Sequence, residues 1–249
     1  MDIQIIKDIA QQAGEKILDI YHNEDFSSTV DFKADDSPLT IADKAAHIVI
    51  MEGLTKAFPE IPVMSEEGRV IEYSERKDWS SFWCVDPLDG TKEFIKKNGQ
   101  FTVNIALIQD GYPVLGVVYV PVTGESYYSD GEQSFLEKDG EVIELHVNNK
   151  VESRVAVRSS SHASDEETEL LKKYGANDAI SVGSSLKFCM VANGKADIYY
   201  RHGPTMEWDT ASGQAVLEGA GGVVETMKGD RFFYNKEELR NKSFLCKGF

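Results

Sequence analysis

The chain has little of what marks secreted, membrane-bound and nucleic-acid-binding proteins. It holds three cysteines in 249 residues, Cys84, Cys189 and Cys246, odd in number and far apart. That excludes the disulfide framework of a small secreted domain and fits reduced core thiols in a reducing compartment. No apolar run approaches the roughly 20 residues that span a bilayer, and residues 1–8 lack the basic-then-apolar order of a secretory signal. The expectation is a cytoplasmic protein without a transmembrane segment, any contact with the inner face of the cell membrane being peripheral. Positive charge is scarce: 26 Lys and Arg stand against 42 Asp and Glu, a net charge of −16. Such a field repels phosphate backbones and anionic headgroups, which argues against a nonspecific nucleic-acid or membrane-surface binder. A phosphorylated small molecule stays admissible where bound cations invert the field locally. Internal repeats and low-complexity linkers are also missing. What is present, 41% hydrophobic residues, suffices for a substantial core in one large unit or two closely associated ones.

Periodicity assigns the elements. Ile3, Ile6, Ile9, Ala10, Ala13, Ile17, Leu18 and Tyr21 recur at helical spacing. After a polar stretch from Asn23 to Pro38, Thr40 with Asp43 three residues on predicts a capped helix that ends before Pro59. Residues 101–108, 114–120 and 125–129, parted by Asp110-Gly111 and Thr123-Gly124, predict an antiparallel meander, and 134–136 with 142–147 a further hairpin turning at Asp139-Gly140. Beyond residue 150 the pattern alternates, with strands over 155–158, 179–182, 197–200 and 223–227 and helices over 166–174, 185–192 and 208–218. The fold class is therefore α/β, a layered α+β sandwich. Residues 1–150 form an antiparallel sheet with paired helices, residues 151–249 an α/β sheet of more parallel character, and a ligand cleft lies between them.

The hexapeptide Asp86-Pro87-Leu88-Asp89-Gly90-Thr91 closes the apolar run 82–85. Hard divalent cations such as Mg²⁺ take oxygen ligands and keep several waters. Two Asp three residues apart converge only if the chain turns between them; Pro87 and Gly90 supply that turn and leave the Leu88 carbonyl free as a further oxygen ligand. Residues 92–97 are helix-compatible, so the first amides after the turn can face an anion. An ordinary strand-to-helix turn uses the same residue types. Read singly, the other candidates are equally double-valued. Glu66-Glu67 suits a solvated pair, and so do His162 and Arg201 as surface polar residues. Asp43 suits a cap, and Trp208-Asp209 a first helical turn. Gly219, Gly221 and Gly222 read as a helix terminator and a close approach to the next strand, without a dinucleotide fingerprint.

In combination they say more. Ser65-Glu66-Glu67, the hexapeptide, and Trp208-Asp209-x-Ala211 resemble, in residue type and order, the inositol monophosphatase superfamily of Mg²⁺-dependent, lithium-sensitive phosphomonoesterases. Residues 33–38, 92–96, 101–107 and 183–189 are similar to its branch of bacterial 3′(2′),5′-bisphosphate nucleotidases, so the resemblance spans nearly the whole chain. It implies that Glu66, Asp86, the Leu88 carbonyl, Asp89 and Asp209 hold two or three Mg²⁺. It also implies that Glu66 lies near the attacking water, and that Asp43 hydrogen-bonds Thr91, which orients or deprotonates that water. Asp89, Gly90, Thr91 and Asp209 would surround the scissile phosphate. Ser159, Ser160, Ser161, His162, Ser184, Lys187 and Arg201 match positions around the adenosine and the second phosphate, where Lys and Arg suit by charge and donor number. Ser212 stands where relatives usually carry Ala or Gly. The expected activity is hydrolysis of the 3′-phosphate of adenosine 3′,5′-bisphosphate in sulfate assimilation, with 3′-phosphoadenylyl sulfate as a further substrate. An inositol monophosphatase-like polyol phosphatase and a noncatalytic metabolite-binding protein remain as alternatives, and monomer and homodimer are both open.

Overall fold

The helical spacing at the start of the chain is realised as α1 (Ile3–Tyr21), capped by the Asp2 carboxylate, which accepts from the Gln4 amide at 2.9 Å. The computed structural model describes residues 1–23, 31–32, 38–149, 152–159 and 165–249; residues 33–37 and 160–162, His162 included, lie outside them. The short antiparallel pair β1 (Asp31–Phe32) and β2 (Pro38–Leu39) precedes α2 (Ile41–Ala57), which begins with the predicted capping box between Thr40 and Asp43. β3 (Val63–Ser65), α3 (Tyr73–Arg76), β4 (Ser81–Asp89) and α4 (Thr91–Ile95) follow. The meander is β5 (Thr102–Gln109), β6 (Tyr112–Val120), β7 (Glu125–Ser129), β8 (Ser134–Lys138) and β9 (Glu141–Glu144).

Strands β3 to β9 form one seven-stranded sheet in chain order, antiparallel except where β3 pairs with β4. Side-chain alternation divides it between two cores. Trp83, Val85, Val103, Ile105, Leu107, Val117 and Tyr119 pack with Ile6, Ile17, Ile50 and Leu54 of α1 and α2. Phe82, Cys84, Ala106, Ile108, Val118 and Val120 face the other way. Because both faces are buried, these strands read as continuous apolar runs, and the period of two is invisible in the sequence.

The rest of the chain runs β10 (Arg154–Arg158), α5 (Asp165–Lys173), β11 (Ala176–Ser181), α6 (Leu186–Ala192), β12 (Ile198–Arg201), β13 (Thr205–Met206), α7 (Ala211–Gly219), β14 (Val223–Thr226), β15 (Arg240–Asn241) and β16 (Phe244–Lys247). β13 pairs with β15, and a five-stranded sheet has the order β11-β10-β12-β16-β14. Helices α6 and α7 fill the space between the sheets: Phe188, Val191, Val216 and Leu217 share one core with Phe82 and Val118 on one side and Tyr199 and Phe244 on the other. Leu171 of α5 covers the far face with Ala156, Ile198 and Leu245. The layers are thus helix, sheet, helix, sheet, helix, an α/β layered sandwich. Contact between α7 and β6 depends on Gly116, where a Cβ would lie 2.7 Å from the Ala215 Cβ and 2.8 Å from the Ser212 carbonyl oxygen.

Several boundaries differ from those predicted. The second sheet is mixed, because β16 inserts antiparallel between β12 and β14; its short apolar run is too brief to announce a strand by periodicity. β9 ends at Glu144, not at 147: the Leu145 amide still reaches Ser134, but that of Val147 donates to Ala220 as the chain crosses to the second sheet. β11 begins at Ala176, three residues early, after the turn at Gly175. α7 begins at Ala211 and not at 208, since residues 206–209 form a turn closed on the Asp209 carboxylate. Among the described residues no helix is long and apolar enough to cross a membrane.

Candidate active site

Strand ends deliver three of the carboxylates. The Glu66 amide, one residue past β3, donates to the Val85 carbonyl at 3.1 Å and so fixes Glu66 beside the end of β4. In a regular strand Asp86 and Asp89 would point to opposite faces, being an odd number of residues apart. Here Asp86 pairs with Asn104 and Asp89 with Thr102, so the partner strand advances one residue less than β4. This bulge re-aims the two side chains into a common region, where the charge of Asp89 acts on Asp86. The Leu88 amide closes the turn on Asp86 Oδ1 at 3.0 Å. Gly90 then takes a φ of +94°, and a Cβ there would meet the Gln100 carbonyl oxygen at 3.1 Å and Ser184 Cβ at 3.3 Å.

Asp209 arrives from the second half of the chain, its Oδ2 accepting from the Met206 amide at 2.8 Å. One carboxylate oxygen from each of Glu66, Asp86 and Asp209 lies within 4.8 Å of the other two. Burial pushes Asp86 and Asp209 well above the usual carboxylate range, and the charges of Glu66 and Asp89 push the same way. An all-oxygen donor set of this kind, with Asp86 buried and Glu66 and Asp209 partly exposed, fits a hard divalent cation, whose charge reverses that shift. Asp89 stands beside the trio, its Oδ2 accepting from Ser185 Oγ at 2.6 Å and from Asn104 Nδ2 at 3.4 Å.

Thr91 and Asp43 meet across the first half. Thr91 Oγ1 lies 3.3 Å from Asp43 Oδ1, to which it donates, and 3.4 Å from the Leu88 carbonyl oxygen. Asp43 Oδ2 accepts from the amide and hydroxyl of Thr40 at 2.7 and 2.6 Å. The helix cap and the Thr91 contact therefore use different oxygens of one buried carboxylate.

A cleft of about 600 Å³ opens beside these groups, with Glu66, Asp89, Gly90, Thr91 and Asp209 in its lining together with Ser184, Lys187 and Arg201. Lys187 Nζ donates to the carbonyls of Ser184 and Val182 at 2.6 and 3.3 Å, and burial lowers its pKa to about 8. Arg201 Nη2 donates to the Pro204 carbonyl at 3.3 Å. Ser159 also lines the cleft. Sequence reasoning missed Asn104 and Ser185, fully buried polar groups that steer Asp89; an Asn inside the apolar run 101–107 was the available signal. It also missed Arg240, a cleft residue on β15 opposite Met206 of β13, which nothing local in the sequence marks.

The chain is 46% identical over 243 residues to the 3'(2'),5'-bisphosphate nucleotidase CysQ of Salmonella typhimurium, covering 97% of this chain and 95% of that protein. The crystal structure of CysQ from Bacteroides thetaiotaomicron, a bacterial member of the inositol monophosphatase family, superposes with a TM-score of 0.85 at 42% identity, covering 99% of this chain and 97% of that one. Thermotoga maritima IMPase shares the fold, with a TM-score of 0.81 at 23% identity over 100% of this chain and 92% of its own. The sequence model of the inositol monophosphatase family matches residues 2–245, from α1 into the first half of β16, and takes in every carboxylate described above. By that match and by the relatives' identity over nearly its whole length, the chain belongs to the inositol monophosphatase family.

Proposed function

We propose that the chain is a Mg²⁺-dependent phosphomonoesterase that hydrolyses the 3′-phosphate of adenosine 3′,5′-bisphosphate to AMP and phosphate. The observation that carries this reading is that Glu66, Asp89 and Asp209 line one cleft together with Lys187 and Arg201, the buried Asp86 lying against Glu66 and Asp209. Carboxylates that hold cations serve any phosphate ester, whereas the two basic side chains give a second phosphate a place. The name of the Salmonella typhimurium relative supports the same choice.

In this reading Glu66, Asp86, the Leu88 carbonyl, Asp89 and Asp209 hold two or three Mg²⁺, which when bound polarise the phosphate, lower the pKa of a water and offset the charge of the leaving 3′-oxygen. Thr91, by giving its hydroxyl proton to Asp43 Oδ1, keeps its lone pairs for the attacking water, and Glu66 is a second acceptor near that water. The amides of Gly90 and Thr91 steady the phosphate oxygens. Lys187 and Arg201 take the 5′-phosphate, while Ser159 and Ser184 flank the nucleoside. Residues 1–150 and 151–249 act as the two sides of the cleft, and cytoplasmic action in sulfate assimilation belongs to the same reading.

The test is phosphate release with Mg²⁺ from adenosine 3′,5′-bisphosphate, 3′-phosphoadenylyl sulfate, inositol 1-phosphate and fructose 1,6-bisphosphate, repeated with EDTA and with Li⁺. Preference for the nucleotides, lost in EDTA and reduced by Li⁺, is the expected result. Preference for inositol 1-phosphate would retain the metal site and overturn the substrate. No release from any of the four would leave a binding protein, although Glu66, Asp86, Asp89 and Asp209 are all still acidic.

A further inference from the structure

Asp209 is held by a circuit of side chains that the chemistry above does not use. The Met206 amide sets Asp209 Oδ2 at 2.8 Å, and the carbonyl of the same residue accepts from Asn241 Nδ2 at 2.7 Å. Asn241 Nδ2 also lies 3.2 Å from the hydroxyl oxygens of Thr205 and Thr210, and its Oδ1 accepts from Lys236 Nζ at 3.1 Å. Lys236 Nζ donates in turn to Glu207 Oε1 at 2.6 Å. Glu207 is fully buried and also accepts the amides of Asn235 and Lys236 at 2.8 and 3.0 Å. Two peptide bonds then lead from Glu207 back to Asp209.

An ammonium only donates and a peptide carbonyl only accepts, so the Asn241 amide has one orientation that satisfies both neighbours. Anchoring the segment 232–241 does not require this arrangement. Arg76 already donates to Asn235 Oδ1 and to the carbonyls of Lys236 and Glu237, and Tyr234 donates to Gln214 Oε1 at 2.8 Å. What Asn241 adds is a second hold on Met206, through its carbonyl, on the other side of the Cα from the N–H that aims Asp209.

We propose that Asn241, oriented by the Lys236–Glu207 pair, is a positioning residue for Asp209: by holding the Met206 carbonyl it fixes the placement of Met206, whose N–H sets the direction of the carboxylate toward Glu66 and Asp86. The inference rests on the reading of Asp209 as a divalent-cation ligand. The experiment is direct Mn²⁺ binding, read by the electron paramagnetic resonance of the free ion. The proteins are wild type, Asn241→Leu, Asn241→Ala, Lys236→Met, Asp209→Asn, and Asp209→Asn combined with each Asn241 variant. Partners one step removed from a metal typically cost 10–100-fold in affinity. Losses of about that size are expected for the Asn241 variants, a smaller loss for Lys236→Met, and almost no added loss once Asp209 is Asn. Wild-type Mn²⁺ affinity in an Asn241 variant that gives a cooperative melting transition, with Asp209→Asn impaired, overturns the positioning role alone. An Asn241 effect that persists undiminished in the Asp209→Asn background overturns it too. Wild-type affinity in Asp209→Asn overturns the ligand reading together with the inference. Should neither Asn241 variant fold, unchanged affinity in Lys236→Met counts against the proposal.

Discussion

The acidic and basic groups of the cleft are assembled in different ways. Glu66, Asp86 and Asp89 sit at the ends of two adjacent strands, and each position is set by backbone geometry: the Glu66 amide on Val85, the Leu88 amide on Asp86, and the bulge between Asp86 and Asp89. Lys187, Arg201 and Arg240 are gathered from a helix, a strand and a two-residue strand of the second half. The long stems of Lys187 and Arg201 end in groups that touch carbonyls, those of Ser184 and Val182 for Lys187 and that of Pro204 for Arg201. Backbone-fixed carboxylates suit a step every substrate shares, whereas side-chain tips can be exchanged for another ligand without disturbing the fold. The division predicts that damage to the acidic set strikes all substrates alike and that damage to the basic set is selective.

The largest effect is expected for Asp86→Asn, which removes a ligand charge at constant size. Phosphate release should fall by more than about a hundredfold on every substrate, since even partners one step from a metal cost up to that much. The same change relieves repulsion with Glu66, Asp89 and Asp209, so in EDTA the variant should melt at a higher temperature than the wild type. A substrate-selective loss would break the division. Thr91→Val comes next, with a fall in kcat of about a hundredfold, the lower part of the range for proton-transfer partners, and partial return in Thr91→Ser. Loss confined to KM would remove Thr91 from the chemistry.

Lys187→Ala and Arg201→Ala should be milder and selective. A hydrogen bond to a charged group contributes about 1.5–3 kcal/mol, so kcat/KM for the bisphosphate should fall by roughly 10- to 150-fold, with little change for inositol 1-phosphate. Equal losses on both substrates would show that the basic set does not choose the substrate.

The same contrast governs what could be read from the sequence. Within the acidic set Glu66 and Asp209 entered through the family resemblance, whereas Asp86 and Asp89 were legible because they lie in one hexapeptide, 86–91, whose turn formers declare the geometry. The capping box at Thr40 and Asp43 was legible for the same reason. Strand β16 was not, since its four residues gain their burial from β12 and β14, elements far away in the chain. Arg240 and Asn241 lie on β15, a two-residue strand defined by its partner β13, and no local pattern distinguishes them from surface polar residues. The start of α7 was misjudged because residues that suit a first helical turn are engaged in holding Asp209. Local chemistry can be read from composition and spacing; groups collected by topology become visible only once the topology is known.

The smallest effect asks whether the two sets communicate. Burial lowers the Lys187 pKa to about 8, with the Asp89 charge opposing the shift and Arg201 favouring it. The protonated amine binds a phosphate and the neutral amine does not, so kcat/KM for the bisphosphate, which reports the free enzyme, should decline as pH rises through that value. For a single titration near 8 the decline between pH 7 and pH 8.5 is roughly fourfold. It should be missing with inositol 1-phosphate and shifted out of range in Lys187→Arg, whose guanidinium keeps its charge. A divalent cation on Asp89 would cancel the support that Asp89 gives to the Lys187 charge. The limb should then move to lower pH as Mg²⁺ is raised, once the effect of the ion on turnover is normalised. A limb that ignores Mg²⁺ would mean that the acidic and basic groups, though they line one cleft, act as independent sites.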